Sequence, residues 1–330
     1  MTRICIVGAG AIGGFIGTRL AAAGRVRLSA LARGATLQAL RSQGWRLATA
    51  EGLLQTPALA SDEAATLGAQ DVVIIAVKAP ALPALAQQIA PLLQPQTLIV
   101  PAMNGVPWWF CQQQPGFAGV PLESVDPGGA IGAALPFGQV LGCVVHASCS
   151  TPEPGLVQHR VGRGLIVGEP GGGLSERAQG LVDLLLHAGF EATHSPRIRH
   201  DIWYKLWGNM TMNPVSALTG ATIDRVLADP LVLQLCSRAM QEAAAIGAAI
   251  GCPIDQSPQD RHAITRKLGA FKTSMLQDVE AGRAIELDAL LGAVHEIGSR
   301  LQQPMPSIEA LLGLTRLFGR TRGLYPQALG

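Results

Sequence analysis

The sequence predicts an α/β chain in two parts: a doubly wound parallel sheet with an antiparallel extension, then an all-helical domain. Three observations carry this. A glycine-rich turn joins the first apolar run to a helix-patterned stretch. Short apolar runs and helical patterns alternate through the first half, as in sheets covered on both faces. After Ile198 the spacing is almost entirely helical. With 330 residues the chain is long enough for two domains, and the division is expected at residues 1–196 and 197–330.

The first strand is Ile4–Val7, leading into Gly8-Ala9-Gly10-Ala11-Ile12-Gly13. Strand, glycine turn and helix in that order is the context that makes G-x-G-x-x-G a dinucleotide signature, so the first part is expected to be Rossmann-type. Gly8 allows the tight turn, Gly10 lets the backbone approach a pyrophosphate, and Gly13 lets helix and strand pack closely. The helix N-terminus then offers N–H groups and the positive end of its dipole. Val26–Leu31 is the second strand, Asp71–Val77 a third, buried on both faces, and Thr97–Val100 a fourth. Ala81–Ala90 is the crossover helix between the last two. Leu141–Cys149, Gly155–Arg160 and Leu165–Val167 are expected as antiparallel strands extending this domain. Leu174–Ala188 is helical again.

In the second part, helices are expected over Asp201–Met212, Pro230–Ile250, Asp260–Ala281, Ile285–Gln302 and Ser307–Leu317, with Pro214 interrupting or ending the first. The tail from Gly323 to Gly330 is expected to be poorly ordered.

Hydrophobic residues make up 48% of the chain and charged residues 15%, with a net charge of +2. A large core is affordable, and a nucleic-acid surface is not expected. No basic stretch precedes a long apolar run, and no uncharged apolar stretch is long enough to span a bilayer. The six cysteines are scattered with no C-x-x-C pair, so no metal site is expected. A cytoplasmic protein with reduced thiols follows. The long apolar-faced helices of the second half suit a homodimer.

Where the second strand ends, NAD-binding folds usually carry an acid that holds the ribose hydroxyls. Here the exit reads Leu31-Ala32-Arg33-Gly34. A guanidinium binds a 2′-phosphate that an acid would repel, so the expected cofactor is NADP(H).

Two segments of the second part carry chemistry. On one helix Lys205 and Asn209 lie four apart, and Asn213 continues that face. A lysine and two amides on a tryptophan-containing helix suit the carboxylate and carbonyl of a ligand. They also suit a lysine reaching solvent and amides that cap. In the second segment Glu286 opens a helix after Gly282, where a carboxylate also complements the dipole. Asp278, Glu280 and Arg283 are expected on a solvated surface.

The order G-A-G-A-I-G, Val77-Lys78-Ala79, Asn104-Gly105-Val106, K-L-x-x-N-x-x-x-N-P from Lys205, then S-M-L-Q-D from Ser274 and E-L-D from Glu286, resembles the ketopantoate reductase family (2-dehydropantoate 2-reductases). The likeness runs from about residue 3 to 318. It implies NADPH-dependent reduction of 2-dehydropantoate to pantoate, in the route to pantothenate and coenzyme A. It also implies an active site between a dinucleotide-binding domain and a helical one. By matching position, Lys205 looks like the catalytic lysine, and Glu286 like the carboxylate near lysine and cofactor. Asn104 looks like the residue near nicotinamide and substrate, and Asn209, Asn213 and Ser274 like substrate contacts. Lys78 looks like a cofactor-side lysine. His146 is given no role.

One position departs from the pattern. Many relatives carry an asparagine three residues before the serine, where this chain has Phe271. An aromatic ring there keeps open a D-2-hydroxyacid dehydrogenase acting on another branched or aromatic 2-oxo acid, which Trp203 and Trp207 would also suit. A non-catalytic NADP(H)-binding sensor is the alternative of another class; it would need no complete Lys, Asn, Ser and Glu set.

Overall fold

The computed structural model describes residues 1–327. Packing divides them into two units, Met1–Phe110 with Gly128–Asp201, and Cys111–Pro127 with Ile202 onward.

The first unit holds ten strands among the described residues: β1 (Thr2–Val7), β2 (Val26–Leu31), β3 (Trp45–Thr49), β4 (Gly52–Thr56), β5 (Leu59–Ser61), β6 (Val72–Ile75), β7 (Leu98–Pro101), β8 (Gly142–Glu153), β9 (Leu156–Gly168) and β10 (Glu191–Ser195). Helices α1 (Ala11–Ala23), α2 (Gly34–Gln43), α3 (Ala64–Leu67), α4 (Leu82–Gln88), α5 (Ala130–Ala134) and α6 (Glu176–His187) connect them.

Five strands form a parallel sheet in the order β5-β2-β1-β6-β7. Its central strands are buried on both faces, as their unbroken apolar runs require. Chain order reverses beside β1, which makes the carboxyl ends of β1 and β6 a switch point, where such sheets bind ligands.

The expected antiparallel extension is a sheet of its own. It runs β10-β9-β3-β4, with β8 antiparallel to β9. Two of the three expected strand runs merge into the single long β9, and the β3–β4 hairpin joins them. Helix α1 lies between the sheets. A β-carbon on Gly14 would press on Val157, and one on Gly17 on the Trp45 ring. Phe15 stacks on His159 at 4.9 Å between ring centroids. A helix apolar all round needs such cover on every side.

The second unit is built from α7 (Ile198–Thr219), α8 (Ile223–Ala228), α9 (Pro230–Ala249), α10 (Pro258–Arg266), α11 (Ser274–Glu280), α12 (Ala293–Arg300) and α13 (Pro306–Thr321). The first turn of α7 belongs with the first unit, where Ser195 Oγ donates to Asp201.

Three expectations change here. Helix α7 runs through Pro214 to Thr219 rather than stopping at it. The stretch expected as one helix over Asp260–Ala281 is two, because Gly269 takes a left-handed conformation and Thr273 caps a new start. Part of the expected loose tail is packed: Leu324 is buried and Tyr325 hydrogen-bonded, while the last three residues of that stretch lie outside the described residues. Among the described residues no helix is long and apolar enough to cross a membrane, and no His/Cys/Asp/Glu group could hold a metal ion.

Candidate active site

The glycine turn follows from backbone demands that can be read atom by atom. Gly8 has φ +91°, and a β-carbon there would lie 2.6 Å from Val77 Cγ1. At Gly13 a β-carbon would overlap the carbonyl oxygen of Gly8. Only glycine fits either position. Gly10 meets nothing within 4 Å, so its open side leaves room for a ligand to lie against the backbone. Gly10 caps α1 without a side-chain hydrogen bond, and the first turn holds no acid, which leaves that terminus to a phosphate. Ala9, Ala11 and Ile12 complete the turn.

The turn borders a cleft of about 230 Å³ that extends to Leu31, Ala32 and Arg33 at the exit of β2. Arg33 is exposed and stands at the N-cap of α2, which also lacks a side-chain cap and an acid in its first turn. Two residues absent from the sequence reading line the same cleft. Thr36 comes from the first turn of α2. Asp62 follows β5, the strand paired with β2, and its carboxylate lies 3.7 Å from Arg41. The local absence of an acid after β2 says nothing of one delivered by the neighbouring strand, so only tertiary pairing reveals Asp62.

Lys78 lies beyond β6 and is the half-buried N-cap of the turn Ala79–Ala81. Asn104 follows β7 and precedes Gly105, whose φ of +83° reverses the chain, and the buried Val106. The glycine turn, Arg33, Lys78 and Asn104 thus all follow carboxyl ends of the parallel sheet. His146 sits exposed on β8, opposite Gly164 and beside a bulge.

In the second unit, α7 carries Lys205, Asn209 and Asn213 at successive four-residue steps, one row along the helix. The adjacent face is core. Trp203 and Trp207 are both 1% exposed, and their indole N–H groups donate to the carbonyls of Ala243 and Met240 on α9. The two tryptophans therefore serve packing, contrary to the expectation that they favour an aromatic substrate. Lys205 and Asn209 are half-buried, and Asn213 is 6% exposed. Asn213 Nδ2 donates to Ser274 Oγ at 3.5 Å. Ser274 is the first residue of α11, which Thr273 caps by accepting from the Leu276 N–H at 3.2 Å.

Glu286 lies in the irregular segment before the helical turn at Leu287, not inside a helix, and is half-buried. Asp278 corrects another expectation. It is 4% exposed, and it accepts from Arg283 Nε at 3.0 Å while its carbonyl accepts the Arg283 N–H at 2.8 Å. This closes the turn that leads to Glu286. Glu280 and Arg283 are exposed as expected, Glu280 pairing with Lys272 at 2.7 Å. Phe271 keeps 36% of its surface exposed, with its backbone carbonyl bonded to the Ile223 N–H.

The sequence profile described as ketopantoate reductase PanE/ApbA matches residues 4–172, and that of its C-terminal part matches residues 197–318. A 2-dehydropantoate 2-reductase of Mesorhizobium japonicum is 43% identical over 324 residues, 98% of this chain and 99% of the relative. A crystal structure from Ralstonia solanacearum MolK2, whose protein carries a provisional ketopantoate reductase name, is 56% identical, covers 98% of this chain and 99% of that one, and superposes with a TM-score of 0.94. D-mandelate dehydrogenase in a ternary structure with NADH and anilino(oxo)acetate shares the fold at a TM-score of 0.84 and 20% identity, covering 98% of this chain and 99% of that one. With profiles matching both halves and a relative this similar along its whole length, the chain belongs to the ketopantoate reductase family of oxidoreductases.

Proposed function

We propose that this protein reduces 2-dehydropantoate to (R)-pantoate with NADPH, with Lys205 as the general acid. The observation that carries the reading is the polar row on α7, whose last amide is hydrogen-bonded to Ser274. The name of the Mesorhizobium relative supports the substrate.

The cradle residues favour a phosphorylated dinucleotide, the acid that lines the cleft, Asp62, lying 3.7 Å from Arg41. Gly8, Ala9, Gly10, Ala11, Ile12 and Gly13 would hold the pyrophosphate at the uncapped start of α1. Arg33, with the uncapped start of α2, would hold the 2′-phosphate. Lys78, Asn104 and Glu286 would complete the cofactor contacts. The bound cofactor supplies a hydride to the ketone carbon.

The chain's own groups then have three tasks. Lys205 Nζ donates a hydrogen bond to the ketone oxygen, stabilises the negative charge that develops there, and delivers the proton that completes the alcohol. Glu286 keeps that lysine protonated against the desolvation of its half-buried setting. Asn104, Asn209, Asn213 and Ser274 hold the oxo acid so that its carbonyl faces the hydride. Residues 1–196 serve in this scheme as the cofactor domain and 197–330 as the catalytic domain. A cytoplasmic homodimer completes the reading, its subunit count checked by light scattering on the purified protein.

The test is NADPH oxidation followed at its absorbance band across a panel of 2-oxo acids. 2-Dehydropantoate is expected to give the highest kcat/KM, and NADPH to outperform NADH. Absence of turnover on every 2-oxo acid would overturn the reading. The exposed Phe271, three residues before Ser274, favours a second reading in which a bulkier apolar 2-oxo acid is preferred. Higher kcat/KM on phenyl-substituted acids would select it.

A further inference from the structure

The segment that carries Glu286 is held at both sides by groups the mechanism does not use. Before it, the turn is closed by Asp278 and Arg283. Immediately around it, the chain is held by the residues that follow α13. The Ile285 N–H donates to the Leu324 carbonyl at 3.0 Å. Tyr325 Oη donates to Asp288 Oδ1 at 2.6 Å. These two anchors stand one residue before Glu286 and two after it.

The end of α13 is shaped for this. The Leu324 N–H bonds to the Gly319 carbonyl at 2.8 Å and the Gly323 N–H to Arg320 at 3.1 Å, with Gly323 left-handed at φ +68°. This is a Schellman ending, which turns the chain back across its own helix. Gly319 makes room for the return. A β-carbon there would lie 2.7 Å from Tyr325 Cβ and 3.1 Å from Ile285 Cδ1. The Arg320 guanidinium covers the Tyr325 ring at 5.8 Å, and its Nε donates to the Pro326 carbonyl at 3.1 Å.

Asp288 also opens a π-helical turn, Asp288–Gly292, a wide geometry that occurs often beside functional groups. The matched family profile ends at residue 318, so every strap residue lies beyond it.

We propose that residues 319–325 form a strap that fixes the backbone on either side of Glu286, with Tyr325 and Asp288 as positioning residues for catalysis. The proposal rests on the reading of Glu286 given above. The strap contacts Ile285 through its backbone and Asp288 through its carboxylate, on either side of the Glu286 carboxylate that the proposed mechanism uses. It limits rotation of this irregular segment, so the carboxylate is offered in one orientation and little freedom is lost at each turnover.

The experiment combines Tyr325→Phe, Asp288→Asn, Asp288→Ala and Glu286→Gln, with kcat, both KM values and Tm measured on the full-length protein. Tyr325→Phe keeps the ring and removes one hydroxyl. It is expected to lower kcat roughly three- to tenfold, with a smaller rise in the cofactor KM and only a small fall in Tm. Asp288→Asn keeps an oxygen that accepts from Tyr325 and should stay close to the parent, whereas Asp288→Ala should match Tyr325→Phe. In a Glu286→Gln background, Tyr325→Phe should cost nothing further. The strap is overturned if Tyr325→Phe leaves kcat unaltered while Glu286→Gln is slow, or if the two losses multiply, as general loosening would make them. A Glu286→Gln enzyme as fast as the parent would instead overturn the reading of Glu286 itself. If Tyr325→Phe lowers Tm sharply, the contrast between Asp288→Asn and Asp288→Ala decides alone.

Discussion

Asn213 and Ser274, 61 positions apart in sequence, are joined by a single 3.5 Å hydrogen bond from amide to hydroxyl. The bond ties the polar row of α7 to the first residue of α11. Asn213 is almost fully buried while Ser274 is exposed, so one partner belongs to the core and the other to a surface a ligand can reach. Ser274→Ala is therefore expected to raise the KM for the 2-oxo acid about three- to thirtyfold, with kcat changed less. Asn213→Ala should weaken substrate binding as well and, unlike the serine variant, lower stability by about 1–3 kcal/mol, since it leaves a void where a buried amide stood. Steady-state kinetics on the first and denaturant unfolding of the second separate the two roles. An unchanged KM in the serine variant would remove Ser274 from the substrate contacts.

Lys205→Ala removes the proposed proton donor. It is expected to reduce kcat by about 10²–10³-fold or more. The Kd for NADPH, read by fluorescence titration, should stay within about twofold, because the cradle residues of the first unit are untouched. Near-parental turnover would end the assignment.

Arg33 gives a cofactor test that is internal to one variant. Arg33→Ser should lower kcat/KM with NADPH about 10–100-fold, the worth of charge-assisted hydrogen bonds to a phosphate, and leave NADH almost unaffected. An equal loss with both cofactors would mean that the guanidinium does not read the 2′-phosphate.

His262 sets an acid limit on stability. It is 1% exposed, and burial pulls its imidazole below the ordinary value near 6.5, with Arg266 adding to the effect. Ser237 gives its own hydrogen to the Leu233 carbonyl at 2.8 Å, so His262 Nε2 carries the proton and donates to Ser237 Oγ at 3.0 Å. A depressed imidazole leaves stability whole above the unfolded value. As pH falls through 6.5 the unfolded chain takes up the proton first, and the fold loses up to about 1.4 kcal/mol per pH unit until the folded group also protonates. Replacing His262 by Asn should flatten the difference between urea midpoints at pH 8 and pH 5.5. Equal slopes for variant and parent would locate the acid sensitivity elsewhere.

What could be read from the sequence depended on whether a feature was fixed locally. The glycine turn was legible because strand, glycines and helix are contiguous in sequence and Gly13 answers to Gly8 five residues before it. The row from Lys205 to Asn213 was legible because four-residue spacing is a property of one helix. The hairpin of β3 and β4 was not, since β4 is exposed along its length and shows no alternation. Asp278 reads as a solvated residue in the sequence, because nothing in its neighbourhood announces a turn that buries it against Arg283. Residues Cys111–Pro127 interrupt the first unit and pack with the second, and Ser124 bonds there to Glu296 at 2.7 Å. Such a return crosses far too much sequence to show as a pattern. The Tyr325–Asp288 pair escaped for the same reason.

The burial of α1 has a practical side. Glycines at 14 and 17 press the helix against Val157 and Trp45, while Gly13 presses it against the first strand. Anyone redesigning coenzyme choice has almost no tolerance at Gly8, Gly13, Gly14 and Gly17, where an added methyl group meets a wall. The far end of the same cleft, around Arg33 and Thr36, borders solvent and can absorb replacement. Directed libraries would do best to leave the first untouched and randomise the second.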